Sequence, residues 1–82
     1  MRRMNGNRQK RLNRLREMAF EEQGGRCFWC ERPMRLPRPF DDGSDPTMAT
    51  AEHLLPIARG GTDERANVVA ACAPCNNRRQ NP

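Results

Sequence analysis

One histidine, His53, follows an acid, Glu52, and stands between two Cys-x-x-Cys pairs, Cys27/Cys30 and Cys72/Cys75. Two thiolates on one tight knuckle fit two corners of a tetrahedron. Four cysteines in two such pairs therefore read as a single zinc site, with two disulfides or free thiols as the alternatives. No apolar stretch follows Met1 to Asn7 as it would in a secretory leader, so the chain reads as cytoplasmic. Thiols stay reduced there, which favours zinc over disulfides. Cys30 and Cys72 lie 42 positions apart, more than a plain zinc ribbon needs. That gap leaves room for a functional insertion between the knuckles.

The insertion holds residues suited to phosphodiester hydrolysis. Such a reaction is helped by a base near neutrality and by a cation that offsets charge on the phosphate. Histidine, with an ordinary pKa of about 6.5, meets the first need, and His53 is the one candidate. Mg2+ or another hard cation takes oxygen ligands, often only one or two from the protein. Glu52 offers a carboxylate and Asn76 an amide oxygen. Asn67 can bond to backbone across the loop and so fix the orientation of His53. Arg59, Arg78 and Arg79 can clamp phosphate, although Arg78 and Arg79 would equally suit a solvated helix face. Taken singly, His53 reads as a packed or exposed histidine and Glu52 as a surface acid. The grouping is what lifts them.

The elements that must position these residues are short. Leu12, Leu15 and Ala19 recur at helical spacing, with Met18 beside them, predicting a helix from about Arg8 to Gln23. Asn7 is a candidate cap and Gly24-Gly25 a stop. Its charges oppose the helix dipole, with Arg8, Lys10 and Arg11 at the positive end and Glu21 and Glu22 at the negative end. Either the basic end meets phosphates, or the helix docks on the zinc module with a solvated face. Trp29, inside the first knuckle, stacks on a base, covers the zinc site or packs on the neighbouring helix. Leu36 to Ala49 is irregular and acidic. It lacks the spacing and terminal Glu of a calcium loop, so it reads as solvated. Thr50 to Ile57 and Asn67 to Ala71 read as strands. Adjacent strand residues point to opposite sides, so Glu52 and His53 can share one site only if the strand ends or bends there. The second knuckle turns directly into a short helix, for which Pro74 suits the first turn.

Only 35% of the 82 residues are hydrophobic, a poor stock for a core, and chains of this size usually need a metal or disulfide staple. No stretch approaches a membrane span. The net charge is +5, nearly all the basic residues being arginine. Arginine forks onto phosphate, so a polyanionic partner is favoured, although many basic proteins have none.

Glu52-His53-Leu54-Leu55-Pro56-Ile57-Ala58-Arg59-Gly60-Gly61, then Asn67-Val68-Val69, then Cys72-Ala73-Pro74-Cys75-Asn76, resembles the HNH endonuclease family. Specifically it is similar to the branch clipped by four cysteines. The likeness runs from about Gly25 to Arg79. It implies a small α+β fold, the ββα-metal module with a zinc clip, here behind an N-terminal helix. The expected division is a basic arm and helix over 1–24 and the zinc-clipped module over 25–82, forming one compact domain. It implies a structural Zn2+ on Cys27, Cys30, Cys72 and Cys75, and a catalytic Mg2+ or similar ion on Glu52 and Asn76. It gives His53 the role of general base and Asn67 that of loop brace, with double-stranded DNA as partner. Glu52 stands where the family usually shows Asp, and Asn76 where many members show His. The alternative functions are a non-catalytic zinc module that binds nucleic acid and a protein-interaction zinc finger.

Overall fold

A computed structural model describes residues 6–80, and of Gln80 the backbone only. Of the basic arm and helix expected over 1–24, residues 1–5 lie outside the described part. Helix α1 spans Gly6–Glu22, strand β1 Ala49–His53, strand β2 Val68–Cys72 and helix α2 Ala73–Gln80. Single 3-10 turns at Ile57–Arg59 and Arg65–Asn67 interrupt the connection between the strands. The two strands form one antiparallel sheet, pairing Ala49 with Cys72 through to His53 with Val68. This is a small α+β fold.

β2 is buried along its whole length, and its residues are small for that reason. Ala70 and Ala71 are fully covered, with α1 on one hand and the cysteine cluster on the other, so little room remains for side chains. The core joins Ala19 of α1 to Met34, Ala49, Ala70, Ala71 and three of the four cysteines, with Phe20 and Leu36 against it. The outward backbone groups of β2 are also answered. The side-chain amide of Gln23 donates to Ala70 O at 2.9 Å and accepts from Ala70 N at 3.0 Å, as a neighbouring strand would. Phe28 N donates to Ala70 O, Arg65 to Val68 O, and Cys72 N to Cys27 Sγ.

Several boundaries differ from the sequence reading. α1 begins at Gly6, so Asn7 lies within it rather than capping it. Met18 falls outside the buried stripe and is 44% exposed, while Phe20 packs inward. β1 stops at His53 because Pro56 cannot donate to a ladder and the chain turns into the 3-10 segment. The wrong-way charges of α1 serve tertiary docking. Arg8 pairs with Asp63 and Glu22 with Arg65, so both ends of the helix grip the connection between the strands. The stretch from Leu36 to Ala49 is mostly exposed, as expected, but two of its acids are partnered. Asp41 and Asp45 close on the Arg35 guanidinium at 2.9 and 2.7 Å. Bonds from Thr47 and Arg35 draw the Asp45 carboxyl down to about 2.

Candidate active site

The two knuckles meet. All four Sγ atoms lie within 4.8 Å of one another, and Cys30 Sγ is 3.8 Å from Cys72 Sγ. A zinc–sulfur bond of about 2.3 Å gives a tetrahedron whose edge is about 3.8 Å, so the cluster has the size to hold one zinc ion. Its electrostatics suit a cation. Burial pushes the Cys27 thiol up, but N–H donors from Cys30, Cys72 and Trp29 outweigh it and bring the group to about 6. Burial, then the neighbouring sulfurs, push Cys75 up to about 12. Four crowded sulfurs cannot share negative charge without a cation among them, and a coordinating metal would deprotonate them outright.

β1 ends at the floor of a cleft of about 730 Å³, lined by Ala51 through Ile57 with Arg59 and Arg79. Glu52 and His53 both reach this cleft, because the strand stops there and the alternation no longer separates them. Glu52 is 4% exposed, and its Oε2 accepts from Arg79 Nε at 2.7 Å. Arg79 also lies over the Trp29 ring, 4.0 Å from its centroid. Trp29 therefore packs against α2, with Phe28 edge-on to it. Nε2 of His53 is 2.8 Å from Asp63 Oδ1. Leu55 and Ile57 form an exposed apolar lip.

Asn67 pins the loop. Its Oδ1 accepts from Leu55 N, and its Nδ2 donates to Leu55 O and Thr62 O at 3.0 and 2.8 Å. Asn76, 8% exposed, is held beside β1, its Nδ2 donating to Thr50 Oγ1 and Ala51 O. It follows Cys75 directly, so the cysteine cluster sets its position. Asn76 does not line the cleft itself, and Arg78 leaves it, donating to Cys75 Sγ at 3.2 Å. Among the described residues, Arg59 and Arg79 are the arginines on the cleft wall.

Asp63 carries no signal of its own in the sequence, one acid between Thr62 and Glu64. It gathers Arg8 Nε at 2.6 Å and His53, with Arg11 at 3.7 Å. The Arg8 guanidinium, then the His53 ring, hold its carboxyl well below the usual carboxylate range. The available signal was the misplaced basic end of α1, which Asp63 answers in the fold.

Gly60 and Gly61 make the loop possible. Gly60 has φ of 96°, a region that side chains disfavour. A Cβ on Gly61 would lie 1.8 Å from the Leu55 carbonyl oxygen and 2.9 Å from that of Pro56. Both obstacles are backbone and cannot swing aside. Gly61→Ala is therefore expected to lose about 1–3 kcal/mol of stability and the protection of the Leu55 amide. Denaturant titration and amide exchange measure both. A variant matching the wild type in each would contradict this close approach.

Among the described residues no helix is long and apolar enough to cross a membrane. No curated protein and no solved structure matches the chain. Residues 42–81 match the family model described as HNH endonuclease. The match takes in both strands, the pinned loop, the second knuckle and α2, while Cys27 and Cys30 join it from outside through the cysteine cluster. Residues 42–81, closed by the four-cysteine cluster, are thus a segment of the HNH endonuclease family.

Proposed function

We propose that the chain is a metal-dependent endonuclease that hydrolyses phosphodiester bonds of double-stranded DNA. The observation that carries this reading is the meeting of His53 and Glu52 at one cleft with Arg59 and Arg79 on its wall. His53 takes a proton from water as the water oxygen attacks phosphorus, and the bond from phosphorus to the leaving sugar oxygen breaks. Arg59 binds the phosphate. Asn67 keeps the loop closed so that His53 faces the cleft.

Glu52 and Asn76 are the residues that would hold a catalytic divalent ion. Glu52 suits one, being a buried carboxylate whose charge is at present answered by Arg79. Bound there, Mg2+ or a similar ion would supply positive charge against the negative charge developing on the leaving oxygen. Zinc on the four cysteines is structural in this reading. The module then runs over 25–82, with 1–24 as its basic arm and helix.

The Glu52–Arg79 pair also favours a second reading, because it occupies the carboxylate that a nuclease would give to metal. In that reading the chain is a non-catalytic zinc module that binds nucleic acid through its arginines.

Supercoiled plasmid separates the two. The endonuclease nicks it when Mg2+ or Mn2+ is added and leaves it intact when the ion is omitted. The binding module retards it at low salt and never nicks it under any divalent ion. Omission is the right control rather than a chelator, which would also attack the cysteine cluster.

A further inference from the structure

We propose that Asp63 is the positioning residue for His53, and that Arg8 of α1 fixes Asp63, so that the N-terminal helix completes the site. This rests on the reading of His53 as the general base. Asp63 Oδ1 lies 2.8 Å from His53 Nε2, while its Oδ2 takes Arg8 Nε at 2.6 Å. Arg8 Nη2 adds a second bond to Oδ1 at 3.2 Å, so the guanidinium grips the carboxylate with a fork. An ionised carboxylate only accepts hydrogen bonds, so the ring nitrogen facing it must carry the proton. Nε2 is then the N–H, and Nδ1 is the nitrogen left with a lone pair to take a proton from water.

Asp63 is fitted for the task. Its side chain is 12% exposed, so little water competes for it. Arg8 keeps it ionised, as its lowered pKa agrees. The second anchor of α1, Glu22 on Arg65, holds the far end of the helix to the same connection. The support reaches Asp63 from 55 positions away in sequence and from outside the segment that matches the family.

The chain has one histidine, so its ring signals are unambiguous. Long-range proton–nitrogen spectra of the full chain, loaded with zinc and at about pH 8, above the ordinary histidine range, read the tautomer directly. The wild type is expected to show a single Nε2–H form with a ring proton protected from solvent. Asp63→Ala should lose that protection and average the two tautomers, and Arg8→Ala should lose part of it. In plasmid cleavage, Asp63→Ala should lower kcat about 10- to 100-fold, as for removal of a supporting partner, with KM within about twofold of the wild type. Asp63→Asn keeps the size but can donate to Nε2 and leave Nδ1 protonated, so its kcat should fall as well. If Asp63→Ala does not fold, Asp63→Asn and Arg8→Ala carry the same test.

A wild-type ring without a protected Nε2–H, or one unchanged by these substitutions, overturns the proposal even if the protein cleaves DNA. A protected Nε2–H in a wild type that never cleaves overturns the nuclease reading, and with it the positioning role.

Discussion

Zinc added to the reduced, metal-free protein is expected to bind one ion per chain and to convert an unfolded chain into the folded domain. The reason is the makeup of the core. Cys27, Cys72 and Cys75 are members of the buried cluster, Cys30 packs against it, and four of the other five members are alanines. Alanine buries little apolar area, so the usual driving force of roughly 25 cal/mol per Å² has little to act on. Ordering each residue costs roughly 1.5 kcal/mol in the meantime. A structural zinc contributes about 10–16 kcal/mol of apparent binding free energy in small modules, more than such a core supplies. Without the ion, the four sulfurs would also face one another with no cation between them. Cys72→Ser should be as damaging as chelation, because it removes a ligand and leaves a polar group at the end of the buried strand. Circular dichroism during chelation, paired with metal analysis, reads the outcome. A metal-free chain that kept a cooperative thermal transition would rule out the cysteine cluster as the staple.

His53→Ala is expected to leave the fold and DNA affinity nearly intact and to lower the cleavage rate about 10²- to 10⁴-fold, the usual contribution of a positioned base. The side chain lies at the end of β1 and faces the cleft, so its removal creates no core cavity. It does leave Asp63 with its arginine partners alone, a local change that those arginines can absorb. Nicking assays against plasmid retardation separate rate from binding. Equal cleavage by both proteins would remove His53 from the mechanism. A variant that bound DNA far more weakly would assign His53 to recognition instead.

The parts of this fold that were legible in the sequence are those fixed by short spacing. Two Cys-x-x-Cys pairs announce knuckles because both ligands lie within one turn, and the cluster followed. The helical stripe of α1 and the two strands were legible for the same reason, within a few residues at their ends. What stayed hidden depends on contacts between distant positions. Asp63 reads as any turn residue until α1 brings Arg8 to it. Arg79 reads as a phosphate ligand or a solvated residue until Trp29 and Glu52 are seen to hold it. The acidic run at Asp41 to Asp45 is largely exposed, as it reads, but its partner, Arg35, precedes it among prolines and glycine that hide the fold-back. Charge placed against a helix dipole was the one local irregularity that pointed to a distant partner.

The amide of Gln23 has an effect beyond fixing α1. A two-stranded sheet ordinarily offers its edges to any extended peptide, including another copy of itself. Here the free side of β2 is spent at Val68, Ala70 and Cys72 by Arg65, Gln23, Phe28 and Cys27. The other side of the sheet begins against Arg35, which accepts from Ala49 N. The sheet therefore stops growing at two strands. A chain with this little core is guarded against aggregation by strand addition, and β2 gives a partner no edge on which to add a strand.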